Sequence, residues 1–176
     1  GIGFGYRNII RKNLIHTVGQ GIISDIGGIY FTGPQLETVI EGNLIHDVEA
    51  RDYSSGTIYM DDNASYYTVK NNIFYGTNAE VFEQKGFGNN NENNIYAFGG
   101  ISLVAKHGDS SKGQLPDPFG LGYPVTNYSH NIFIQNGGQV FFEGVEDMDV
   151  VERKINSDNN LFWDYSIDSI QMKKEL

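Results

Sequence analysis

Two short segments of the 176-residue chain hold the side chains best suited to chemistry: Asp25-Ile26-Gly27-Gly28-Ile29-Tyr30 and Ile58-Tyr59-Met60-Asp61-Asp62. Each sets a carboxylate near a tyrosine inside an Ile-, Gly- and Tyr-rich stretch that reads as a strand. Side chains alternate along extended backbone, so Ile58 and Met60 share one face while Tyr59 and Asp61 share the other. With the apolar face inward, Asp61 points outward beside an aromatic ring. Asp25 precedes Gly27-Gly28, where bare backbone leaves room for a ligand. Two carboxylates on neighbouring turns of chain stand roughly 5–10 Å apart, which spans the separations of both retaining and inverting glycosidases. One would protonate a glycosidic oxygen, and the other would act as nucleophile or as base toward water. The bland alternative is that Asp25 bonds a turn and Asp61 is a solvated strand end.

Around this pair, Tyr30, Tyr59 and Phe82 could form a platform for the apolar face of a pyranose, with Asp62, Gln84, Lys85 and Glu143 as polar contacts at its rim. The competing reading is that the aromatics stack among themselves. Asp61-Asp62-Asn63 offers clustered hard oxygens for Ca²⁺ as an alternative, but lacks a complete spaced ligand set, so no metal or other cofactor is assigned. His16 and His46 follow identical tripeptides and read as repeat-position turn residues, with His46-Asp47 as an orienting pair in second place. His107 and Asp109 either line a cleft or sit in solvent. No phosphate loop, Ser/His/Asp signature or dinucleotide fingerprint occurs in strand-turn-helix context.

The elements that must position these residues show up as a repeat. Asn-Leu-Ile-His occurs at Asn13 to His16 and again at Asn43 to His46, followed by related tetrapeptides starting at Asn72, Asn94, Asn131 and Asn160. The intervals of 30, 29, 22, 37 and 29 residues suit one solenoid coil each. A second column, Ile29 to Thr32, Ile58 to Asp61, Val81 to Gln84 and Val140 to Glu143, implies two recurring strands per coil. The expected fold is all-β: a parallel solenoid of about six coils forming one domain over residues 1–176. Stacked at the spacing of paired strands, six coils make a rod of about 29 Å. Asn suits the repeat corner because it tolerates the left-handed conformation and its stacked amides can bond in a ladder. The longest interval holds a loop excursion at residues 105–127, and the Asn-rich run at 89–94 is expected to make a tight polar corner. The start at Gly1 without a cap suggests that preceding coils are missing.

Composition narrows the function classes. The formal charge is −10 and no cluster of Lys and Arg exceeds an isolated pair, so the chain lacks the electrostatic footprint of a nucleic-acid or anionic-membrane binder. With 22 Gly, 11 Tyr and 11 Phe, strands and turns are favoured over helices. There is no Cys, which removes disulfides, thiolate nucleophiles and Cys zinc sites. No apolar run approaches the roughly 18 residues of a membrane-spanning helix.

The stretches Asp25 to Pro34, Val39 to Val48, Gly56 to Asp62, Val69 to Tyr75, Asn93 to Phe98 and Ser157 to Asp164 together resemble the right-handed parallel β-helix proteins of the pectate-lyase-like superfamily. Within it they resemble in particular the β-helix glycoside hydrolases of bacterial polysaccharide breakdown. The repeat motifs carry the fold, whereas Asp-x-Gly-Gly-Ile-Tyr and Ile-Tyr-x-Asp are the narrower pointers to a sugar hydrolase. Relatives often have a His-rich block where this chain reads Phe82-Glu83-Gln84-Lys85-Gly86. The resemblance implies an oligosaccharide or polysaccharide substrate, cleavage by Asp25 and Asp61, and a secreted or periplasmic location. A Ca²⁺-dependent polysaccharide lyase drawing its base from Lys85, Lys70 or Arg51 is the runner-up, and a glycan-binding or structural β-helix is the non-catalytic alternative.

Overall fold

The computed structural model describes residues 5–52, 55–77, 79–84, 86–100, 102–107, 125–137, 139–144 and 155–166. It contains three parallel sheets and, among the described residues, no helix, hence none long and apolar enough to cross a membrane. The first sheet is β1 (Ile9–Arg11), β4 (Thr38–Glu41), β7 (Tyr67–Lys70), β10 (Asn90–Glu92), β13 (Thr126–Ser129) and β16 (Ile155–Asp158). The second is β2 (Leu14–Val18), β5 (Leu44–Val48), β8 (Ile73–Tyr75), β11 (Ile95–Ala97), β14 (Ile132–Gln135) and β17 (Leu161–Asp164). The third is β3 (Ile26–Thr32), β6 (Ser55–Asp61), β9 (Ala79–Gln84), β12 (Ser102–His107) and β15 (Gln139–Gly144). Each strand pairs with the strand three places later in the chain, which makes the protein a parallel β-solenoid.

A coil therefore holds three strands where two were expected. The extra one precedes the corner Asn, and its inward column, Ile10, Ile40, Val69, Asn91, Tyr128 and Ser157, has no shared residue type to betray it. The Asn-rich run belongs in part to this sheet: Asn90–Glu92 is β10, with Asn91 buried beneath the Tyr96 hydroxyl. Ala105–His107 likewise extend β12 and Thr126–Asn127 begin β13, while 108–124 lie outside the described residues.

The repeat tetrapeptides build the second sheet in register. Ile15, Ile45, Phe74, Tyr96, Phe133 and Phe162 form its inward column. Ring centroids along this column lie 5.3 Å apart for Phe74–Tyr96, 5.0 Å for Tyr96–Phe133 and 5.1 Å for Phe133–Phe162, close to the spacing of paired strands.

At the corner between the first two sheets, Asn13, Asn43, Asn72, Asn94, Asn131 and Asn160 form the expected ladder. Each side-chain amide donates to the Oδ1 of the next Asn at 2.9–3.2 Å, and that Oδ1 also accepts the preceding Asn backbone N–H. From Asn43 onward the same amides donate to the carbonyls of Ile10, Ile40, Val69, Asn91 and Tyr128. The left-handed backbone falls one residue earlier than expected, at Lys12, Gly42, Asn71, Asn93, His130 and Asn159. Amide bonding, not tolerance of positive φ, is what the ladder position demands of Asn.

Candidate functional site

β3 and β6 carry the two chemical segments side by side, with Tyr30 opposite Tyr59 and Thr32 opposite Asp61. Ile58 and Met60 are fully buried, so the alternation places Tyr59 and Asp61 on the outer face as expected. β3 departs from alternation: its inward residues are Ile26, Ile29 and Phe31, one step out of phase across Gly27-Gly28. The glycines serve packing. A Cβ on Gly27 would lie 2.6 Å from Tyr59 Cβ and 2.8 Å from the Ile29 carbonyl, and one on Gly28 would lie 2.6 Å from Ile45 Cγ2. The space expected for a ligand is thus taken by Tyr59 on one side and by the core on the other.

This slip brings the two acids to one cluster. The rings of Tyr30 and Tyr59 stack with centroids 4.9 Å apart and planes 15° from parallel. The Tyr59 hydroxyl donates to Asp25 Oδ1 at 2.5 Å, and the Tyr30 hydroxyl donates to Asp61 Oδ2. Asp61 Oδ1 accepts the Asp62 backbone N–H at 2.8 Å. Among the described residues Asp61 thus has a donor on each oxygen, whereas Asp25 has one, on Oδ1. Asp25 is exposed, stands at φ 60° just ahead of β3, and receives its tyrosine from the following coil; Asp61 receives its own from the preceding coil. Burial pushes the Tyr30 hydroxyl above the ordinary phenol range, and the hydrogen bond to Asp61 and the charges of Asp61, Asp25 and Asp62 push the same way.

Of the expected sugar contacts, Tyr59 is only 3% exposed and Tyr30 is half-buried, so much of their facing surface is spent on each other. Asp62 is exposed beside Asp61. Phe82 is opposite Tyr59 in β9, but the side chains of Phe82, Gln84 and Glu143, and Lys85 altogether, lie outside the described residues, as do the side chain of His107 and Asp109. In the acidic run Asp61 is bonded by Tyr30 and the Asp62 N–H, and the Ser65 hydroxyl donates to the Asn63 carbonyl at 3.0 Å; among the described residues no group of three or more His, Asp or Glu is placed to hold a metal. Of the three lyase bases, Lys70 lies in the first sheet near Glu41 and Arg51 pairs with Asp52 at 2.6 Å, while Lys85 lies outside the described residues.

His16 and His46 sit within strands, not turns, and stack in a ladder with Tyr75 at 5.2 and 4.6 Å. His46 Nδ1 lies 2.8 Å from Asp47 Oδ2, which realises the pairing read from the sequence. Nearby, Thr17, Asp47, Gly76 and Phe98 all take positive φ and line an open groove of about 440 Å³ that crosses several coils. The repeat tetrapeptides stop short of this corner, and of its lining residues the sequence offers Asp47 alone as a functional candidate, through its pairing with His46. Comparison of the chain with family models, curated proteins and solved structures finds no match.

Proposed function

We infer that this β-solenoid is a carbohydrate-active protein that hydrolyses glycosidic bonds with Asp25 and Asp61. The observation that carries the reading is the convergence of the two carboxylates, from opposite ends of paired strands, onto one stacked tyrosine pair on the outer face. One carboxyl transfers its proton to the glycosidic oxygen as the bond from the anomeric carbon to that oxygen breaks. The other carboxylate either takes a proton from the attacking water or forms a glycosyl ester that water then opens. Both routes consume one water per bond and need no cofactor. The resemblance to the pectate-lyase-like β-helix hydrolases supports the same substrate class, an oligosaccharide or polysaccharide, and a secreted or periplasmic setting goes with a polymer met outside the cell. The charge of −10 favours a neutral or mildly acidic glycan over a strongly anionic one.

The test is a reducing-end assay on a panel of plant and microbial glycans with the wild type, Asp25→Asn and Asp61→Asn. Each substitution lowers the rate by about 100- to 10,000-fold with an unchanged far-ultraviolet circular dichroism spectrum. Full activity in both variants overturns the assignment. Unsaturated-uronate absorbance lost on adding chelator points to the lyase, and glycan binding without cleavage to the non-catalytic alternative.

A further inference from the structure

Tyr30 and Tyr59 do something that a sugar platform would not require: each reaches across to the carboxylate of the other coil. Tyr30, in the earlier coil, donates to Asp61 of the later one, and Tyr59, in the later coil, donates to Asp25 of the earlier one. The stacked rings fix the spacing of the two hydroxyls, and Gly27 under Tyr59 Cβ sets the depth of the second ring. The acceptor accounting at the two acids also differs. Asp61 already takes an O–H on one oxygen and an N–H on the other, an arrangement suited to a charged carboxylate. Among the described residues Asp25, which is exposed, takes a single donor, on Oδ1.

We propose that Tyr30 and Tyr59 are positioning residues that divide the labour of the acid pair, Tyr30 holding Asp61 as the charged partner and Tyr59 aiming Asp25 as the proton donor. This rests on the hydrolase reading for its catalytic part. The groups that bear on Tyr30 are Asp25 from the β2–β3 turn, Asp61 and Tyr59 from β6, and Asp62 after it. The proton on Asp25 Oδ2 passes to the leaving oxygen, and solvent restores it after product departs.

A hydroxyl deletion that keeps the ring separates positioning from stacking. Tyr30→Phe and Tyr59→Phe each lower kcat by roughly ten- to a hundredfold, the worth of one hydrogen bond to a charged or reacting group, with KM little changed. The Tyr59→Phe loss is largest on glycosides with poor leaving groups, which need the proton most, while the Tyr30→Phe loss is uniform across leaving groups. Retained kcat in both variants, or a change confined to KM, overturns the proposal in favour of a platform. A second measurement is independent of activity. With ¹³C-labelled tyrosine ring carbons, the Tyr30 resonance, assigned from Tyr30→Phe, titrates at higher pH in the wild type than in Asp61→Asn. Identical titration in the two proteins overturns the clamp. A wild type that cleaves no glycan but shows the titration difference removes the hydrolase reading and leaves the Tyr30 clamp standing.

Discussion

The half-buried Tyr30 hydroxyl, donating to Asp61, is held in its neutral form beyond the pH at which a free phenol ionises. Its raised pKa means that the folded state retains a proton that the unfolded chain gives up. The associated stability is therefore complete below about pH 10 and is lost as pH climbs through the folded value. The melting-temperature advantage of the wild type over Tyr30→Phe is expected to be constant from neutral pH to about pH 9 and to shrink above about pH 10. Asp164 behaves in the opposite sense. The Ser166 hydroxyl at 2.6 Å leads the donors that lower its pKa, joined by the Ser166 and Gly137 backbone N–H groups and Gln135. Its contribution is present above the ordinary Asp value of about 3.9 and fades as pH falls below it. The gap in melting temperature between wild type and Asp164→Asn is expected at neutral pH and to close in acid. The tyrosine contacts were only partly legible beforehand. Period-two alternation put Tyr59 and Asp61 outward, but Tyr59 meeting Asp25, 34 positions away, depends on the phase slip at Gly27-Gly28, which alternation cannot anticipate.

At the scale of elements, the Asn ladder is the part of the fold most readily read from the chain, because a single amide must satisfy the same backbone groups in every coil. Asn72 is 1% exposed; it accepts from the Asn43 backbone and side chain and donates to the Ile40 carbonyl. Asn72→Ala strands buried donors and an acceptor at about 1–3 kcal/mol apiece, so a loss of about 3 kcal/mol or more is expected in urea unfolding. Asn13→Ala, at the exposed end of the ladder, removes one bond to Asn43 and is expected to cost about 1 kcal/mol or less. Equal costs at the two positions would mean that the ladder does not hold the buried corner. The strand before each Asn escaped notice for the converse reason: its inward position accepts Ile, Val, Asn, Tyr and Ser in different coils, so no motif recurs. Gly27→Ala pushes a methyl into Tyr59 Cβ and the Ile29 carbonyl, with an expected cost of about 1–3 kcal/mol and a displaced tyrosine pair.

For the whole molecule, stacking coils turns residues about one coil apart into neighbours, and it does so twice at the acid pair, between Asp25 and Tyr59 and between Tyr30 and Asp61. The scaffold thus joins two carboxylates through copies of the same Ile-Tyr strand on successive coils. The paired segments were visible as isolated motifs; their joining through a tyrosine stack was not, because it depends on the register of β3 on β6. The most direct test of the hydrolytic reading is mass spectrometry of glycan cleavage products formed in heavy-oxygen water. Hydrolysis at an Asp pair places one labelled oxygen on the anomeric carbon of every newly formed reducing end in the wild type, with labelled product from Asp25→Asn or Asp61→Asn lower by about a hundredfold or more. Unlabelled, unsaturated products, or labelled products undiminished in both variants, would contradict it.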